Sequence, residues 1–97
     1  EMMRIANDVP ASLAWARRAV ALEPDEAINR YELGKIHMDM NAPGEALQEL
    51  RIAVRLNPKS TSAHYLLARV YAMLGRNGAA RAERDIYDRL KAGYGTE

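Results

Sequence analysis

A repeat of 34 residues constrains the fold of this chain more than any other feature of its sequence. Pro24 and Pro58 lie 34 residues apart, and each follows a leucine and one polar residue. So many residues match at this one offset that the sequence indicates successive copies of one structural unit. The matches are Tyr31 with Tyr65, Leu33 with Leu67, Gly34 with Ala68, Ala46 with Ala80, Leu47 with Leu13, Ala53 with Ala19, and Val54 with Val20.

Each unit reads as two helices joined by a turn, because its apolar residues recur at steps of three and four. The predicted helices cover residues 10–22, 26–40, 43–56, 61–74 and 77–92. Asp25 is placed to cap one of them and the run Ser60-Thr61-Ser62 another, and Gly75 is placed to end one in a left-handed conformation. The predicted organisation is a partial repeat (1–24), a complete repeat (25–58), a terminal repeat (59–92) and a frayed tail (93–97).

A 34-residue helix–turn–helix unit with Leu33-Gly34 in its first helix, Ala46 and Ala53 in its second and Pro58 at its end resembles the tetratricopeptide repeat. The third unit is similar through Leu67, Tyr71, Ala80 and Tyr87. The resemblance implies an all-α fold in which antiparallel helix pairs stack as a right-handed superhelix, an α-solenoid. It also implies a protein–protein interaction scaffold that binds a peptide segment in its concave groove.

The two ends of the chain depart from this pattern in different ways. Residues 1–7 read as the end of a helix whose beginning is missing, and the chain starts with Glu1, so we expect a C-terminal fragment of a longer repeat protein. In the last helix, Arg81, Arg84 and Asp88 replace Leu47, Leu50 and Val54. Only a narrow apolar stripe is left, which is typical of the polar helix that caps a solenoid. That stripe consists of Ala80, Ile86, Tyr87 and Leu90.

Composition argues against several classes of function. The 14 basic and 13 acidic residues give a net charge of +1 and are scattered, so neither nucleic acid nor a charged membrane is favoured as a partner. No apolar run approaches the roughly 18 residues of a membrane span, and no signal peptide is evident. The absence of cysteine removes disulfides and thiolate chemistry. Localisation is unknown, with the cytoplasm as the default.

The resemblance also locates a candidate groove on the first helix of each pair. Tyr31 and Tyr65 would lie one repeat apart, with Lys35 and Arg69 four residues beyond them. Tyrosine offers an amphipathic contact surface, and a positioned cation can bind a carboxylate, so we expect an acidic or C-terminal peptide segment. Alternatively, these residues only line the inner surface, since duplication alone would repeat them. The predicted groove residues are Arg4, Ile28, Tyr31, Lys35, Met38, Asp39, Ser62, Tyr65, Arg69 and Met73.

The remaining polar and charged residues do not form a recognisable metal, catalytic or nucleic-acid-binding motif. His37 and His64 lie on different helices without a second ligand at helical spacing, so they read as packing residues and no metal site is expected. No paired carboxylates, nucleophile arrangement or phosphate loop is present, and the sequence therefore predicts neither an enzyme nor a cofactor. The arginines of the last helix alternate with acidic residues, which argues against nucleic-acid binding.

A rival function is self-association. If the helix that should cover residues 10–22 is missing, the apolar residues around Leu13 and Trp15 would be exposed and could form a homodimer interface. In a longer protein the same surface could pack against a preceding repeat.

Overall fold

The computed structural model describes residues 9–96, and within that range it contains five helices and no strand. Each helix packs against the next along the chain, and the connections between them are short, so neighbouring helices run antiparallel. The predicted all-α solenoid of stacked helix pairs is confirmed. The helices are α1 (Val9–Leu22), α2 (Ala27–Asp39), α3 (Pro43–Leu56), α4 (Thr61–Met73) and α5 (Asn77–Thr96).

The predictions for the two ends of the chain can be compared with the structure only at the C-terminal end. The helix end expected at residues 1–7 lies outside the described residues. At the other end, α5 continues to Thr96, four residues beyond the predicted helix end at residue 92. The physical reason is the residue at the repeat boundary: Pro24 and Pro58 follow the ends of α1 and α3, whereas Ala92 stands at the equivalent position and has no helix-breaking ring.

The turns inside the two helix pairs share one geometry. Gly75 adopts φ 78°, as predicted, and Asn41, its counterpart one repeat earlier, adopts φ 59°. Both residues follow a helix end in the left-handed region, which glycine and asparagine tolerate best. In each turn the next amide reaches back to a helix carbonyl at 2.8 Å, Ala42 N–H to His37 and Arg76 N–H to Tyr71. The two turns therefore close with the same backbone hydrogen bond.

The caps at the starts of α2 and α4 are not equivalent. The Ser60 hydroxyl accepts a hydrogen bond from the Ala63 amide at 3.2 Å, as predicted. The predicted Asp25 cap is wrong, because the N-cap residue of α2 is Glu26 and its side chain makes no capping bond. Glu26 is the counterpart of Ser60 in the repeat, and its longer side chain is a poorer N-cap.

The core lies mainly between α3 and α4. Leu50, Leu67 and Val70 are essentially inaccessible to solvent, and Ala46 is equally buried. Leu33, Gly34, Leu47, Ala53 and Leu66 are buried as well. Partly buried side chains surround this cluster: Tyr31, Met38, Val54, Tyr71 and Leu74.

A polar clasp links the two helices of each complete pair. Arg30 on α2 donates to the carbonyl of Pro24 at 3.0 Å and to the Glu49 carboxylate on α3 at 3.1 Å. One repeat later, His64 on α4 places Nε2 2.8 Å from the Pro58 carbonyl and Nδ1 2.6 Å from the Glu83 carboxylate on α5. All three positions of the clasp are therefore repeated at the 34-residue interval, with histidine in the place of arginine.

Both histidines are buried, as the packing interpretation predicted, but His64 has a polar role that the sequence reasoning missed. The Pro58 carbonyl can only accept, so Nε2 of His64 carries a hydrogen and donates it. Nδ1 of the same ring lies 2.6 Å from a carboxylate oxygen of Glu83. No group of three or more histidine, aspartate or glutamate side chains suited to a metal occurs among residues 9–96.

Candidate functional site

The candidate site lies on α2 and α4, the first helices of the two pairs. Tyr31 and Lys35 are four residues apart on α2, and Tyr65 and Arg69 have the same spacing on α4. Residues four apart lie on one face of a helix, and α2 packs directly against α4. The repeat therefore aligns two tyrosines and two cations across the helix boundary.

These side chains surround one cavity of about 450 Å³. Its wall includes eight of the ten predicted groove residues, from both α2 and α4. Lys35 and Arg69 are exposed, whereas Tyr31 and Met38 are half-buried against the core. The eight residues are Tyr31, Lys35, Met38, Asp39, Ser62, Tyr65, Arg69 and Met73.

The structure does not bring the remaining two predicted residues to this cavity. Ile28 is exposed and lines a separate, smaller cavity of about 160 Å³, which it shares with Tyr31 and Ser62. The smaller cavity lies between the first turns of α2 and α4 and the end of α3. Arg4 lies outside the described residues.

Four further residues line the larger cavity and were missed by the sequence reasoning. Thr61 and Leu66 come from α4, and Tyr87 and Lys91 come from α5, the helix read only as a cap. Tyr87 had been assigned to the packing stripe of that helix. The available signal was the spacing, because Tyr87 and Lys91 repeat the tyrosine-then-cation interval of four residues seen on α2 and α4.

The contribution of α5 has defined contacts. The rings of Tyr65 and Tyr87 are 5.4 Å apart between centroids and tilted by 46°, a common geometry for an aromatic pair. The Lys91 ammonium lies 5.2 Å from the centroid of the Tyr87 ring and donates to its hydroxyl at 3.3 Å. Tyr87 thus connects the wall formed by α4 with the cation on α5.

The charge around the cavity is unbalanced. Three cations line it, Lys35, Arg69 and Lys91, against a single carboxylate, Asp39. None of the four takes part in either of the two ion pairs found among residues 9–96. Exposed cations without a paired carboxylate can bind an incoming anion without first breaking an existing ion pair. The arrangement suits a ligand that carries carboxylates and some apolar surface.

A second surface lies on α1, at the other end of the stack. Trp15 is 69% exposed and Leu22 is 74% exposed, and the guanidinium of Arg18 lies 6.0 Å from the Trp15 ring centroid. Leu13, the other residue predicted for a dimer interface, is partly buried against the rest of the chain. The exposed apolar surface of α1 is therefore centred on Trp15.

Comparison with known proteins identifies the architecture. A family model described as tetratricopeptide repeat matches residues 31–94, which is more than half of the chain. A crystal structure of MamA superposes with a TM-score of 0.89 at 17% identity, covering 96% of this chain and 54% of the MamA chain. A second MamA structure, labelled AMB-1, gives 0.83 at 20% identity, covering 91% of this chain and 52% of that one. A sequence search of curated proteins found no match.

This chain therefore spans about half the length of the MamA chains it resembles, and at these identities the likeness concerns the fold. Within residues 9–96, none of the helices combines the length and the apolar character needed to cross a bilayer.

Proposed function

Because this chain belongs to the tetratricopeptide repeat family, whose repeats generally mediate protein–protein interaction, we propose that it binds a peptide segment of a partner protein in the cavity between α2, α4 and α5. The observation that carries the proposal is the composition of the cavity wall. Each of the helices α2 and α4 contributes a tyrosine and a cation to it, Tyr31 with Lys35 and Tyr65 with Arg69. The role is binding and scaffolding, with no catalytic step.

The chemistry of the wall favours an acidic peptide. A carboxylate accepts charge-assisted hydrogen bonds from lysine and arginine, which are roughly twice as strong as bonds between neutral groups. Tyrosine rings add contact area with few rotatable bonds to immobilise. Asp39 disfavours a ligand that is uniformly anionic, so the segment should combine acidic with apolar side chains.

The test is selection of displayed random peptides on the immobilised protein, followed by fluorescence anisotropy with the enriched peptide. We expect enrichment of aspartate and glutamate, and at least tenfold weaker binding by the Lys35→Ala/Arg69→Ala double variant, which loses two charged contacts. The matched control is Arg51→Ala/Arg55→Ala, which removes two exposed cations from α3, outside the cavity. Equal affinity of the two double variants would contradict the proposal.

A second candidate function, homodimerisation through α1, is supported by one observation, the exposure of Trp15 and Leu22. Large apolar side chains clustered at a surface tend to be covered by a partner. Sedimentation across a range of concentrations tests it, with Trp15→Glu as the disrupting variant. A mass that rises with concentration in the wild type, but not in Trp15→Glu, would favour the dimer. A monomer throughout would exclude this interface for the chain.

A further inference from the structure

We propose that Tyr87 and Lys91 on α5 are specificity-determining residues of the peptide site, and that they make it select a segment in which carboxylates flank an apolar or aromatic side chain. This inference rests on the proposed peptide binding. It goes further because it assigns a binding role to α5, which the sequence analysis interprets only as the helix that caps the solenoid.

The spacing of these two residues is not a product of the repeat. Tyr31 and Lys35 have their counterparts in Tyr65 and Arg69 at the 34-residue interval, so duplication alone would account for those two pairs. The counterparts of Tyr87 and Lys91 one repeat earlier are Ala53 and Asn57. The third pair of a tyrosine and a cation is therefore not repeated at the 34-residue interval, yet it lines the same cavity as the other two.

The packing explains how α5 reaches the cavity. In the complete repeat, Ala53 is buried where α4 packs over α3. No helix follows α5 within the described residues, so the equivalent position accommodates the larger Tyr87. The Tyr87 ring lies against Tyr65, and Lys91, one helical turn beyond Tyr87, lines the same cavity.

Lys91 retains capacity for a ligand. Its ammonium has three hydrogens, one of which is donated to the Tyr87 hydroxyl at 3.3 Å. The side chain is exposed, so a carboxylate can reach it without displacing a core residue. Together with Lys35 and Arg69 on the other helices, Lys91 gives the cavity three cations, and three tyrosines line the same cavity: Tyr31, Tyr65 and Tyr87. This pattern complements several carboxylates with an apolar side chain between them.

Fluorescence anisotropy tests the proposal with a fluorescein-labelled peptide of alternating glutamate and leucine, and with its counterpart that carries glutamine instead. We expect the wild type to bind the glutamate peptide more tightly, with an affinity that falls as salt is added. Lys91→Ala should weaken binding about three- to tenfold, the range of one charged contact at a partly exposed site, and Lys91→Glu should weaken it further. Tyr87→Phe retains the ring but loses the hydroxyl that holds the ammonium, so we expect a smaller loss.

The control is Arg84→Ala, which removes an exposed cation of α5 that does not line the cavity. Circular dichroism melting of each variant checks that the fold is retained. Wild-type affinity in Lys91→Ala, with loss of binding in Lys35→Ala/Arg69→Ala, would overturn the inference and leave the proposed function intact. No binding of the glutamate peptide by the wild type would overturn both, and so would binding of a single-stranded oligonucleotide in preference to either peptide.

Discussion

The complete repeat (α2 and α3) and the terminal repeat (α4 and α5) share one backbone plan but use equivalent positions on their second helices for different purposes. In α3, Leu50 and Ala53 are buried under the following helix. Their counterparts in α5 are Arg84, which is exposed, and Tyr87, which lines the cavity. The comparison shows that the same spacing supports a core where a helix follows, and a solvated face and part of a cavity wall where none follows within the described residues.

The polar clasps of the two repeats differ in how far their side chains are exposed. Both join a first helix to a preceding proline carbonyl and to a glutamate on the second helix. In the complete repeat the Arg30 and Glu49 side chains are each 19% exposed, whereas in the terminal repeat those of His64 and Glu83 are 7% and 17% exposed. Because the terminal repeat has few fully buried apolar side chains on α5, its clasp should contribute more to stability.

The largest expected effect follows from breaking the terminal clasp. His64→Ala would leave the Glu83 carboxylate and the Pro58 carbonyl without their partner and would remove a side chain that is only 7% exposed, so we expect a loss of about 2–3 kcal/mol in the free energy of unfolding. Urea denaturation followed by circular dichroism measures it. A loss smaller than that of Arg30→Ala would show that the more buried clasp is not the more important one.

A smaller effect is expected at Gly34, where the two repeats differ in packing. A Cβ atom at this position would lie 2.8 Å from Cγ of Leu50, which is fully buried. The terminal repeat has Ala68 at the equivalent position and exposed Arg84 in place of Leu50. Gly34→Ala should therefore destabilise the protein by about 1–2 kcal/mol through overpacking, despite the better helix propensity of alanine.

A double-mutant cycle sharpens this test. When Leu50→Ala is already present, Gly34→Ala should stabilise the protein, because the added methyl group then enters space left by the leucine. If Gly34→Ala destabilised both backgrounds equally, the close approach of Gly34 and Leu50 would not be the cause.

The smallest expected effect of the three comes from the clasp of the complete repeat. Arg30→Ala removes two hydrogen bonds, but the Arg30 side chain is itself 19% exposed against 7% for His64, so less buried contact is lost and we expect a loss of about 0.5–1 kcal/mol. The measurement is again urea denaturation, with Arg51→Ala as the control for removal of an exposed cation. A loss equal to that of His64→Ala would mean that burial does not distinguish the two clasps.

The fold was largely predictable because it depends on periodic residues. The interval from Pro24 to Pro58, the apolar spacing within each unit and the left-handed position at Gly75 all act locally, so they can be read without a structure. The errors arose where context decided the outcome. The end of α5 depended on the absence of a proline at Ala92, and the cap of α2 depended on which residue of its turn took the N-cap position.

The candidate site was predictable only in part, for a similar reason. Repeat spacing placed residues such as Tyr31 and Arg69 on facing helices, and these line the cavity. Tyr87 and Lys91 could not be assigned in that way, because their counterparts Ala53 and Asn57 have other roles. Likewise, the histidine spacing did not show that His64 would meet Glu83, a contact that depends on how two helices pack.

The most direct test of the central claim is to map peptide contacts by heteronuclear NMR on the isotope-labelled chain, using the acidic peptide obtained by selection. We predict that shift changes concentrate on the residues lining the larger cavity, including Tyr65 and Arg69 on α4 and Lys91 on α5, while the indole signal of Trp15 stays unchanged. Changes centred on Trp15 and α1, with the cavity residues unaffected, would contradict the assignment of the cavity as the binding site.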